Sequence, residues 1–97
     1  MEKKAHQYKL TLEYLQNNKG DKMETSPLEL IFENHDDIFA IVERLKQKNH
    51  FDDINQSQEF AIGLKLFSEV MLKNRNHPLF EELGPAFGLF MKRLKGK

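Results

Sequence analysis

The chain reads as a small α+β protein: an N-terminal antiparallel β-hairpin followed by three helices, in the order β-β-α-α-α. Three observations predict this class. Tyr8, Leu10, Leu12 and Tyr14 alternate with polar neighbours, and Leu28, Leu30 and Phe32 repeat that alternation, the period of half-buried strands. Across Asn34-His35-Asp36-Asp37-Ile38-Phe39 the period switches, and Ile38, Ile41, Val42 and Leu45 recur at helical spacing. From there the helical period continues almost to the C-terminus. Ninety-seven residues are expected to form a single domain, 1–97, with a modest core, because small domains bury a smaller share of their surface. Eight Phe let so short a chain bury a large apolar area.

The first strand spans residues 6–15. Its connection, Asn17-Asn18-Lys19-Gly20-Asp21-Lys22, is turn chemistry, since Gly and Asn tolerate positive φ. The second strand spans 28–33 and is introduced by Pro27; together they make an antiparallel hairpin with a long, mobile loop. Helix one is expected over about 35–48 with Asn34 as its N-cap, Asp36 and Asp37 placing negative charge on the positive end of the helix dipole. Asn49-His50-Phe51-Asp52-Asp53 is a connector with Phe51 tucked inward. Helix two spans about 55–74. Phe60, Leu64, Phe67 and Met71 form its main stripe, widened by Gly63, Leu66 and Val70, while Ile62 and Leu72 fall outside it. The segment 78–94 opens on Pro78, suited to a first helical position, and gathers Leu79, Phe80, Leu83, Phe87, Phe90, Met91 and Leu94 on one face. Gly84-Pro85 interrupts it without breaking the apolar phase, so one helix kinked near Gly84 is expected, with two short helices as the alternative.

Three runs, Asn34-His35-Asp36-Asp37-Ile38-Phe39, Phe60-Ala61-Ile62-Gly63-Leu64-Lys65-Leu66-Phe67-Ser68-Glu69 and His77-Pro78-Leu79-Phe80, resemble a family of short bacterial proteins catalogued as domain of unknown function 3861. The likeness covers nearly the whole chain. It implies a bacterial, cytoplasmic origin, and it supplies no activity, cofactor, partner or functional residue.

Composition narrows the function classes. Lys+Arg 15 balances Asp+Glu 15, so no global field draws nucleic acid or an anionic membrane. Without Cys there is no disulfide, thiolate nucleophile or Cys-ligated metal. The N-terminus lacks the apolar segment of a secretory signal, and no run reaches the roughly 18 apolar residues of a membrane span. A cytoplasmic location is expected.

The candidate chemistry is sparse. His35-Asp36-Asp37 and His50-Phe51-Asp52-Asp53 hold ligand types that suit Zn²⁺, Mn²⁺ or Ni²⁺. They stand at opposite ends of helix one, roughly 20 Å apart along a straight helix, so one ion does not bridge them within a monomer. Capping and dipole compensation explain both clusters. His35, Asp36 and Asp37 remain the metal candidates. His77, held extended by Pro78, reads as a helix-start residue, and His6 shares the Tyr8 side of strand one. Ser26, Ser57 and Ser68 lack a nucleophile-elbow context, and Glu81-Glu82 reads as a dipole pair. Gly84-x-x-x-Gly88 suggests a close helix crossing. The late cations Lys73, Arg75, Lys92, Arg93, Lys95 and Lys97 sit near helix C-termini, and no nucleic-acid motif accompanies them.

The sequence therefore points to a non-enzymatic interaction or regulatory module, without catalytic residues or cofactor. A homodimer through the hairpin edge is expected, with a further protein partner allowed and neither membrane nor nucleic acid expected. The alternative is a small-ligand or metal-binding protein using the His35/Asp36 region.

Overall fold

The computed structural model describes residues 4–96. The chain divides after Asp36 into a hairpin unit and a helical unit. The predicted order holds: β1 (His6–Leu12), β2 (Leu28–Asn34), α1 (Ile38–Lys48), α2 (Ile54–Lys73), a 3-10 turn (Pro78–Phe80) and α3 (Leu83–Lys95).

In the hairpin unit the strands pair antiparallel from His6↔Asn34 to Leu12↔Leu28. This register puts Tyr8, Leu10 and Leu12 on one face with Phe32, Leu30 and Leu28. The Tyr8 and Phe32 rings stack at 5.4 Å, and Lys9 pairs diagonally with Glu29 at 3.5 Å on the other face. β1 stops at Leu12 instead of reaching residue 15. Its last partner, Leu28, follows Pro27, which has no N–H to extend the ladder. β2 runs one residue further than expected, through Asn34. The connection carries its own structure around Asn17. The Asn17 carboxamide oxygen accepts from the Lys19 and Asp21 amides at 2.9 Å each, and Gly20 takes φ +90°.

In the helical unit α1 begins three residues later than predicted. Asn34 is not its cap: it closes the β-ladder opposite His6. Asp37 takes the role, its carboxylate accepting from the Ala40 amide at 3.2 Å. The face expected of α1 is observed, with Ile38 and Leu45 buried and Ile41 and Val42 half-buried. Asn49 ends the helix in the left-handed region at φ 48° and returns its N–H to the Leu45 carbonyl. Asp53 caps α2 by accepting from both Asn55 and Gln56.

The core of α2 is the main correction. Ser57, Ala61, Ser68 and Met71 are the buried residues, and Phe67, expected at the centre, is 44% exposed. Two stripes on this helix share one spacing. Hydropathy alone ranks Phe60-Leu64-Phe67-Met71 first. Met71 of that stripe is buried as expected and Phe60 and Leu64 are half-buried, but the most deeply buried positions are the small residues Ser57, Ala61 and Ser68, since short side chains let a neighbouring element approach closely. The neighbour packed most closely on α2 is α1.

The last segment is a 3-10 turn and a separate α-helix rather than one kinked helix. The break falls at Glu81-Glu82. Pro85 thereby lies in the first turn of α3, where a missing N–H leaves no helical bond unmade. The expected crossing at Gly84 and Gly88 is not formed within the unit: a Cβ built on either meets nothing within 4 Å.

Candidate functional site

The metal candidates fall at the end of β2. Asn34 is fully buried, and its side-chain oxygen accepts from the Asp36 amide at 2.9 Å, a local turn that reverses the chain after the strand. The Tyr8 hydroxyl donates to the Asp36 carbonyl at 2.8 Å. Strand one thus fixes the backbone of this corner from across the sheet. His35 Nε2 stands 3.5 Å from an Asp36 carboxylate oxygen. Asp37 belongs to the helical unit, where its carboxylate is engaged in capping α1. Among the described residues no three His, Asp or Glu side chains converge to hold a metal ion. The corner is explained by chain reversal and capping.

The other histidines have local roles. His77 Nδ1 accepts from the Leu79 amide at 3.0 Å and so starts the 3-10 turn, as its place before Pro78 led us to expect. His6 lies beside Tyr8, ring centroids 6.3 Å apart. His50 and Phe51 leave the α1–α2 connector side by side, 6.3 Å between centroids.

Phe51 does not tuck inward as expected: it is 43% exposed. Its ring meets Phe60 of α2 edge to face at 5.3 Å, and Phe60 meets Phe90 of α3 the same way at 6.2 Å. These three rings and Leu94 form the apolar wall of an open cleft of about 800 Å³. Lys48, His50 and Arg93 line it as well. The Lys48 ammonium donates to the Leu94 carbonyl at 3.3 Å, tying the end of α1 to the end of α3. Sequence reasoning missed this cleft. Phe60, Phe90 and Leu94 were correctly placed on apolar helix faces, but periodicity does not say that a face is left partly open. The available signal was the clustering of cations near helix C-termini beside aromatic positions.

The hairpin unit carries a second exposed apolar surface. Leu12, Leu28 and Leu30 are exposed on one face of its two-stranded sheet and Ile31 on the other, Leu28 at 61% and Ile31 at 78%. Both strands are edges in this sheet. Among the described residues no helix is long and apolar enough to cross a membrane.

Comparison with curated proteins yields no match. A crystal structure of a protein of unknown function from Pectobacterium atrosepticum is similar over 96% of this chain and 99% of its own, at 35% identity and a TM-score of 0.81. The sequence model for the domain of unknown function DUF3861 matches residues 6–96. The chain belongs to the DUF3861 family.

Proposed function

We propose that this protein is a non-enzymatic interaction module that acts as a homodimer joined through its hairpin. One observation carries the reading. A two-stranded sheet has two edges, and this one keeps Leu12, Leu28, Leu30 and Ile31 exposed beside them. A lone hairpin is marginal in water, and unpaired strand edges recruit another strand. Joining two hairpins about a twofold axis makes a four-stranded sheet, hides one edge of each copy and covers part of this apolar surface. The remaining edge and face are then available to a different protein.

Size exclusion with light scattering across micromolar concentrations tests the reading. We expect a mass of twice the 11.5 kDa chain, falling to that of one chain in Ile31→Lys with helical circular dichroism unchanged. A mass of one chain at every concentration in the natural sequence overturns the homodimer.

A further inference from the structure

The cleft between the ends of α1 and α3 combines an apolar wall with cations that no carboxylate pairs with among the described residues. Lys48 makes its bond to a backbone carbonyl, and neither Lys48 nor Arg93 is ion-paired among the described residues. Part of this positive charge answers the negative ends of two helices. Each helix end carries only about half an elementary charge, whereas Lys48 and Arg93 bring a full charge each. The balance at the mouth of the cleft is positive. His50 adds an imidazole able to donate or accept a hydrogen bond.

The wall is suited to a hydrocarbon or aromatic body. Phe60 joins the other two rings edge to face, and Phe51 and Phe90 each keep part of their surface open to the cleft. Phe51 and Phe90 are 43% and 40% exposed. The volume, about 800 Å³, lies in the range of roughly 300–1,000 Å³ usual for small-molecule pockets. Glu59 lines a smaller groove that shares Phe51 and Phe60, and it does not line the main cleft. Apolar wall and cationic mouth therefore define the polarity of the ligand: anionic head at Lys48 and Arg93, apolar tail along the phenylalanines.

We propose that this cleft binds a small amphiphilic carboxylate, its carboxylate held by Arg93 and Lys48 and its apolar body laid against Phe51, Phe60 and Phe90. Arg93 is the main anchor, because its planar guanidinium matches a carboxylate with two parallel hydrogen bonds. Lys48 contributes the hydrogens it does not give to Leu94. Every residue of the site belongs to the helical unit, so its occupancy is tested independently of association through the hairpin.

Calorimetric titration of the full chain with decanoate, decanol and decyltrimethylammonium decides the matter. We expect saturable one-to-one binding of decanoate. Decanol, which keeps the tail and loses the charge, should bind about tenfold or more weakly, the worth of about one charge-assisted hydrogen bond. The cationic amphiphile should bind more weakly still. Arg93→Gln should weaken decanoate by a similar factor of roughly ten while leaving decanol unchanged. Arg93 is exposed, so this variant is expected to fold, and circular dichroism checks it. Phe90→Ala should weaken both decanoate and decanol. No saturable binding of decanoate up to about 1 mM, the regime of negligible affinity, overturns the proposal. So does equal binding of acid and alcohol, or decanoate binding unchanged in a folded Arg93→Gln.

Discussion

α1 meets α2 across small and aliphatic side chains, whereas α3 meets it through rings. Ile38 and Leu45 of α1 are buried, and on α2 the buried residues are Ser57, Ala61, Ser68 and Met71. On the seam with α3, Phe60 meets Phe90 at 6.2 Å, and Phe67 meets Phe87 at 6.3 Å and Phe80 of the 3-10 turn at 6.2 Å, all edge to face. No residue of α3 is fully buried. Small residues let two helix backbones come close. Large rings hold the backbones apart, and the cleft lies beside Phe60 and Phe90. The difference teaches that hydrophobicity and burial part company in a chain this small. The largest apolar side chains make the looser seam, and short ones make the closed seam.

Truncation on each seam gives the sharpest contrast. Leu45 is buried in the closed seam, so Leu45→Ala should cost about 2–5 kcal/mol in urea melts followed by helical circular dichroism. Phe67 retains close to half of its exposure, so Phe67→Ala should cost roughly 1–3 kcal/mol, below the 3–5 of a fully buried Phe. Equal losses would mean that the ring seam is as closed as the other and that the contrast is wrong.

The turn between β2 and α1 extends the comparison to the caps, with a smaller effect. Asn34→Ala leaves the Asp36 amide without its side-chain acceptor at a part-buried position, worth about 0.5–1.5 kcal/mol. Asp37→Ala removes the cap of α1 at about 0.5–2 kcal/mol. Amide hydrogen exchange separates them. Asn34→Ala should speed exchange at Asp36 and leave Ala40 protected, and Asp37→Ala should do the reverse. Loss of Ala40 protection in Asn34→Ala would restore Asn34 as the helix cap.

Most of the fold was legible because local patterns specify it. The two strands, the period change after Asn34 and the apolar face of α1 all appear in the structure, although β1 ends at Leu12, α1 starts at Ile38 and Leu12, Leu28 and Leu30 are exposed. What was not legible depends on competition between partners. Asn34 and Asp37 are both good capping residues, and the ladder to His6, a non-local pairing, decides which one caps. α2 offers two stripes of equal period that share Met71, and the packing of its neighbours decides which is buried more deeply. The cleft follows the same logic: its rings are apolar by sequence, and only the exposure of Phe51 and Phe90 shows that they line a surface rather than fill a core. His35 and Asp36 do come together, yet no sequence spacing told whether a third ligand would join them.

The glycines of α3 give the smallest and most discriminating test. Gly-x-x-x-Gly at Gly84 and Gly88 has the form of a close helix contact, but a methyl group added at Gly88 meets nothing within 4 Å. Gly88 lies inside α3, where glycine gives up more backbone freedom on folding than alanine does. Gly88→Ala should therefore raise stability by about 0.5–1 kcal/mol. Gly63 inside α2 meets the same empty space and serves as the control, with a gain of similar size. Both gains would confirm that neither glycine is packed against another surface. A gain at Gly63 with a loss at Gly88 would show that another surface approaches α3 closely at the glycine pair. If Gly88→Ala also reduced the mass seen by light scattering to that of one chain, the dimer contact would move from the hairpin edge to α3. The exposed rings of the second seam would then be part of an interface between copies.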